Sequence, residues 1–305
     1  MHETAEPIII PPRLKPGATI GLVTPAGPIR DHAKVRSGIA ILEEAGFKVK
    51  LPAELSGDDY LAGSDRERAG QLTGMWNDPE VGAVLAVRGG YGVLRLLPYL
   101  DTARFRENPK ILAGFSDITI LLNEIQRRTG LVTYHTPVLT TLAASDQASR
   151  QSFIEILTGP PRPISPPELR ILTGGQAGGR LIGGNLASLC HLLGTPYEPR
   201  WDGAILFIED TGEPVYKIDR MLTQLQVSGR MSRLNGLILG TFSEDDERWD
   251  HWAGQIWKRA RQLARGNIPL WGNFPVGHGA RNLSLPVGMT VVMDSTEVRL
   301  EFIET

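Results

Sequence analysis

Between Lys110 and Gln126 an apolar run passes into an amphipathic pattern with almost no loop between them. Ile111 to Phe115, carrying Gly114, reads as a buried strand. From Asp117 the apolar residues fall at Ile118, Leu121, Leu122 and Ile125, the three-four spacing of one helix face. Ser116 and Asp117 therefore sit where strand becomes helix. A serine there is lifted off the end of a sheet and surrounded by the free N–H groups of the helix's first turn. Those groups and the helix dipole favour negative charge, as an acyl-transfer oxyanion requires. A plain N-cap satisfies the same pattern, because Ser and Asp are favoured there. The G-x-S-x-G elbow is not met, since position 118 is isoleucine. Ser116 thus needs a base and an acid from elsewhere in the chain.

The surrounding sequence places this junction in an α/β frame. Ala18 to Val23, Phe47 to Leu51, Val81 to Val87 and Leu131 to Tyr134 read as further strands. Asp31 to Ala45, Ser64 to Asn77 (opened by the capping box Ser64-Asp65-Arg66-Glu67), Val93 to Leu100 and about Ser145 to Leu157 read as helices, with Gly130 a C-cap. Strands alternating with helices predict a mainly parallel sheet covered on both faces. Residues 159–167 hold five prolines and cannot keep a regular element. They read as a linker between a domain over 1–158 and another over 168–305. The second half opens on glycine-rich pieces and a helix from Asn185 to Leu193. A strand over Ala204 to Ile208, a helix from Pro214, a strand over Leu237 to Leu239, a tryptophan-studded helix from Glu247 to Ala264 and a closing hairpin over Met289 to Phe302 follow. That half is α+β in character.

Composition removes several classes. A net charge of −2 gives no nucleic-acid footprint, and no apolar run approaches a membrane span. The N-terminus has no basic region before Ile8 to Ile10, unlike a signal peptide. One cysteine, Cys190, excludes an intrachain disulfide and suits a reducing, cytoplasmic compartment. H-E-x-x-H and paired Cys or His at ligand spacing are missing, so no metal and no other cofactor is expected.

Three other stretches could complete a site around Ser116. Arg88-Gly89-Gly90-Tyr91-Gly92 lies at the carboxyl end of a strand, the edge where open α/β sheets place ligands. Its glycines would let a backbone N–H approach an oxyanion, or simply make a tight turn. Glu209, Asp210 and Glu213 cluster at the end of an apolar strand, where a carboxylate could orient a histidine or merely meet solvent. His278, between Gly277 and Gly279, has an unobstructed imidazole suited to general-base work. His135, after a strand, is a second candidate. His2, His32, His191 and His251 are weaker, and Cys190 reads as a buried small hydrophobe. Of the three acids, strand alternation sends Glu209 and Asp210 to opposite faces. Glu213 precedes Pro214 and a helix start, which gives it a structural reason to be there.

Ala113 to Thr119, Arg88 to Gly92, Ile208-Glu209-Asp210 with Tyr216 to Arg220, and Gly277-His278-Gly279 together resemble the LD-carboxypeptidase family. This is the serine peptidase family that includes muramoyl-tetrapeptide carboxypeptidases and microcin C immunity peptidases. The blocks come in family order from Gly17 to Gly288. The resemblance implies a triad of Ser116 as nucleophile, His278 as base and Glu209 as acid. It also implies an oxyanion hole from the Asp117 N–H and the Gly89-Gly90 turn. Arg88, Tyr91 and Lys217 become candidates for binding substrate, with Arg95 as a further cation for its carboxylate. The implied fold is an N-terminal Rossmann-like α/β domain and a C-terminal β-rich α/β domain, and the usual assembly is a homodimer. Phe115, where tyrosine is more usual, and Thr136, where glycine is expected, depart from the pattern.

Three readings follow. In the first, the enzyme releases the terminal D-alanine of murein tetrapeptides during peptidoglycan recycling. In the second, a microcin immunity-type peptidase cleaves aminoacyl-nucleotide amides. In the third, a silent binding protein holds a small molecule in the same cleft. The immunity type tends to carry a longer aromatic loop before the acid. Residues 168–203 are short, with only Tyr197 and Trp201 as aromatics, which favours the first reading.

Overall fold

The computed structural model describes residues 7–54, 57, 59–243, 246–264 and 268–304, so His2 lies outside the described residues. The chain forms two compact units. One runs to Pro160 and includes Ser284–Pro286. The other comprises Pro161–Leu283 and the chain from Val287 onward.

In the first unit the elements are β1 (Thr19–Val23), α1 (His32–Glu44), β2 (Lys48–Lys50), α2 (Asp65–Asn77), β3 (Val81–Ala86), α3 (Ala103–Glu107), β4 (Ile111–Gly114), α4 (Thr119–Thr129), β5 (Thr133–His135), α5 (Leu139–Leu142) and α6 (Gln147–Thr158). β1 pairs in parallel with β2 and β3, β3 with β4, and β4 with β5. Local chemistry accounts for the helix ends. The Ser64–Glu67 capping box opens α2 with both of its hydrogen bonds, and Gly130 closes α4 with φ of 77°. Ile120, Leu121, Leu122 and Ile125 of α4 are buried, as are Leu22, Val84 and Leu112 of the strands. Each such side chain contributes roughly 1.5–3 kcal/mol on leaving water.

The second unit contains β6 (Arg170–Thr173), β7 (Gln176–Asn185), α7 (Leu186–Leu192), β8 (Ile205–Glu209), α8 (Val215–Val227), β9 (Gly236–Leu239), α9 (Asp246–Leu263) and β10 (Leu270–Gly272). β11 (Leu285–Val287), β12 (Thr290–Asp294) and β13 (Arg299–Ile303) end the chain. Its sheet runs β13-β12-β7-β8-β9-β10-β6, with β7 to β10 parallel and both edges antiparallel. Ile218, Leu222 and Leu225 of α8 pack with Ile208, Leu237, Leu239 and Trp249 in one buried cluster. The fold class is thus α/β, with a mainly parallel first sheet and a β-rich second one.

Beyond the short helices α3 and α5, which the sequence reading leaves out, the structure differs from it in four places. Residues 94–99 form a 3-10 helix rather than an α-helix. It contains Pro98, which lacks the N–H an α-helix would need. The ten-residue β7, which the sequence shows only as glycine-rich pieces, is a central strand. Glycine is depleted in strands generally, but a Cβ on Gly183 would fall 1.9 Å from the Phe207 carbonyl. β6 and β10 are short strands that carry no alternation long enough to recognise. Finally, β11 joins the edge of the first sheet beside β5, so the sequence does not divide once at the prolines.

Candidate active site

β4 ends at Gly114, Phe115 is extended, and Ser116 has φ of 63°. A non-glycine residue seldom enters that left-handed region, and holding it there costs of order 1–2 kcal/mol. Residues 116–118 make one 3-10 turn before α4 begins. A strained strand-to-helix turn of this kind presents a serine hydroxyl at the top of a sheet, even with Ile118 in place of the second motif glycine.

The turn after β3 lies against that serine. A Cβ on Gly89 would come within 2.8 Å of both Cβ and Oγ of Ser116, so glycine is required for the approach. The same point lies 3.7 Å from the Asp117 nitrogen. The Gly89 carbonyl accepts from the Gly27 N–H at 3.3 Å and from Arg88 Nε at 3.2 Å. In a trans peptide the carbonyl and the next N–H point to opposite sides, so the Gly90 N–H is directed away from Gly27. Of the sequence-expected groups, Gly89 and the Asp117 N–H thus lie beside Ser116.

Asp117 also has a role for its side chain. Its buried carboxylate accepts the Val93 N–H at 2.9 Å. Burial pushes its pKa up to about 6, against the pull of that bond and of Arg68. The folded value lies above the unfolded 3.8, so folding favours the protonated form. That contribution is present below about pH 4 and lost as pH rises through about 6, on the order of 3 kcal/mol at about 1.4 kcal/mol per pKa unit. Asp117→Asn is therefore expected to melt higher than the native chain at pH 8, with the gap closing toward pH 4. Thermal melts across pH 4–8 check this; a constant gap would show that the carboxyl is not the cause.

In the second unit, His278 Nδ1 lies 2.7 Å from Glu209 Oε2. Glu209 is fully buried at the end of β8, and its Oε1 has no partner among the described residues. Facing a carboxylate, Nδ1 carries the proton, which leaves Nε2 as the basic nitrogen. Backbone bonds fix this contact. Gly240 N–H donates to Ile208 O at 2.8 Å, Thr241 N–H to Val276 O at 2.9 Å, and Asp210 N–H to Thr241 O at 3.2 Å. The loop carrying His278 is thereby stitched to the ends of β8 and β9.

The other two acids go elsewhere. Asp210 accepts from Asn185 Nδ2, Ala187 N and Thr211 N at 3.0, 2.9 and 2.8 Å. Burial, then the neighbouring Glu209 charge, raises it to about 6. Glu213 forms an ion pair with Lys217 at 3.0 Å, one turn into α8. Arg88 Nη1 donates to Pro28 O at 3.0 Å, and Arg95 pairs with Asp65 at 3.0 Å. Each candidate cation for the substrate carboxylate thus already holds a protein group. Tyr91 is half exposed and packs against Tyr60, centroids 5.8 Å apart. His135 is buried edge-on to Phe115, and burial pushes the Cys190 thiol up to about 12. Among the described residues no group of His, Cys, Asp and Glu is arranged to hold a metal, and no helix is long and apolar enough to cross a membrane.

Sequence reasoning missed Arg68, which is fully buried beneath the Gly92 turn. Its signal was present: Arg68, Leu72, Met75 and Trp76 recur at helical spacing, placing a guanidinium on the apolar face of α2.

A strained serine turn in one unit and a carboxylate–imidazole pair in the other are groups that serine hydrolase chemistry uses. The chain belongs to the LD-carboxypeptidase family of serine peptidases. Residues 20–136 match the LD-carboxypeptidase N-terminal domain and residues 178–293 the C-terminal domain. It is 36% identical to a probable murein peptide carboxypeptidase of Bacillus subtilis, across 94% of this chain and 92% of that protein. It is 35% identical to the murein tetrapeptide carboxypeptidase of Pseudomonas aeruginosa, across 79% and 81%. Among solved structures, the microcin C7 self immunity protein MccF superposes with a TM-score of 0.89 at 25% identity, covering 97% of this chain and 99% of that one.

Proposed function

We propose that this chain hydrolyses the bond between the L-centre of a diamino acid and the terminal D-alanine of murein tetrapeptides, in peptidoglycan recycling. Ser116 Oγ attacks the scissile carbonyl while His278 Nε2 takes its proton. The Asp117 N–H and the Gly89-Gly90 turn, through the Gly90 N–H, stabilise the oxyanion. The intermediate collapses as His278 returns the proton to the departing D-alanine amine. Water, deprotonated by the same imidazole, then releases the tripeptide from Ser116. Glu209 holds the imidazole in the tautomer this sequence needs. In this reading the first unit carries the nucleophile and the second carries the base and the acid.

The contact of His278 with the buried Glu209 is the observation that carries the mechanism. The substrate class rests on the likeness to murein tetrapeptide carboxypeptidases. Arg88, Tyr91 and Lys217 remain the residues proposed to bind the peptide. The chain is read as cytoplasmic, as its single cysteine suits, and as a homodimer, which light scattering on the purified protein would test.

A tetrapeptide ending in D-alanine is expected to release free D-alanine, and the L-alanine epimer is expected to survive. Chromatographic assay of both peptides decides it. The MccF-like fold supports a second reading. Hydrolysis of an aspartyl-adenylate amide analogue, with no action on the tetrapeptide, would establish that reading instead.

A further inference from the structure

Arg68 stands on the inward face of α2 with its side chain fully buried. Backbone carbonyls surround its guanidinium. Nε donates to Gly63 O at 3.0 Å, and Nη1 to Gly92 O at 3.0 Å and to Pro25 O. Nη2 meets Asp65 at 2.6 Å. Those three carbonyls belong to separate segments: the one leaving β1, the one entering α2 and the one leaving β3. Directly after Gly92, the Val93 N–H is taken by the Asp117 carboxylate at 2.9 Å.

Burying a guanidinium costs several kcal/mol, and an apolar side chain of similar volume commonly stabilises a fold as well or better. Desolvation accordingly pulls the Arg68 pKa below its usual value, with the Asp65 carboxylate opposing. Packing alone therefore does not explain a buried arginine here. Only a planar fork of donors can hold several carbonyls at fixed positions at once. The turn is seated directly on that fork. Gly92 has φ of 115°, and a Cβ there would lie 2.9 Å from Arg68 Nη1. At its other end the same turn touches Ser116 through Gly89.

We propose that Arg68, with the Asp117 carboxylate, is a positioning residue of the reaction. The two clamp the 89–93 turn against the nucleophile's turn, so that the Gly90 and Asp117 N–H groups meet the oxyanion as it forms. Arg68 touches no substrate and acts through these backbone groups. The inference rests on Ser116 being the nucleophile.

The test uses the full chain with Arg68→Lys, Arg68→Gln and Val93→Pro. Val93→Pro removes the N–H held by Asp117 and exchanges a buried valine for a ring of similar size, at a residue whose φ of −65° proline adopts. In variants that melt cooperatively, kcat on the tetrapeptide should fall about 10–100-fold, the scale of a misplacement near 1 Å. KM should stay within about twofold, as for loss of an interaction made only in the transition state. Inactivation by a fluorophosphonate, which tests the serine and oxyanion donors without the peptide, should slow by a similar factor. Unchanged kcat in any folded variant, or a change confined to KM, would overturn the clamp. Failure of all three variants to fold would overturn it too, in favour of a purely structural arginine. If instead the native chain is labelled at a residue other than Ser116, the nucleophile assignment fails rather than the clamp.

Discussion

Ser116→Ala is expected to lose on the order of 10⁴–10⁶ in kcat toward the tetrapeptide, the scale seen when a triad nucleophile is removed. The loss should come without a loss of fold. Ser116 sits at φ of 63°, where any Cβ is strained and only glycine is at ease. Ser116→Gly should therefore be as inactive as Ser116→Ala, yet melt at or above the native temperature. A strained residue whose replacement stabilises the chain while abolishing turnover is what a strained nucleophile turn predicts. The proposed mechanism uses only side chains and backbone groups of the chain, so EDTA is expected to leave the rate unchanged. Retention of near-native kcat in the folded alanine variant would remove Ser116 from the mechanism.

Glu209→Gln is expected to cost on the order of 10³–10⁴ in kcat, by analogy with the triad acid. The amide has nearly the shape of the carboxylate but can donate a hydrogen bond to Nδ1. The imidazole then carries its proton on Nε2 and cannot accept one from the serine. Glu209 is fully buried with one oxygen on His278, so the residue at this position sets the tautomer directly. Glu213→Gln should lie within about fivefold of native, since a partly exposed ion pair of this kind is worth about 1 kcal/mol. Kinetics on variants of equal melting temperature decide between the two. A larger loss at Glu213 would transfer the role of the acid.

The parts of this site that rest on local periodicity could be read from the chain alone. The three-four spacing from Ile118 to Ile125 puts a helix directly after an apolar run, so Ser116 had to fall at the junction. Strand alternation separates Glu209 from Asp210, and in the structure one meets His278 while the other takes Asn185, Ala187 and Thr211. The Ser64 capping box and the Gly130 cap follow from orphan helix groups within a few residues of each other. Arg88 shows the limit of such reasoning. Its place at a strand end suits an anion, but no local spacing shows that its Nε and Nη1 also donate to the Gly89 and Pro28 carbonyls.

Sequence by itself determined the alternation of strand and helix, the face each helix buries and the strand end at which each candidate group stands. These depend on residues a few positions apart, whose side-chain spacing is set by the backbone period. Only the tertiary structure decided that β11 returns to the first sheet and that the glycine-rich 176–185 is a central strand. It alone brought Glu209 to His278 across 69 positions. The clamp on Pro25, Gly63 and Gly92 carbonyls by Arg68 was likewise a tertiary decision. Such contacts join segments with no common period, and a buried polar group shows its purpose only once the partners that satisfy it are in place.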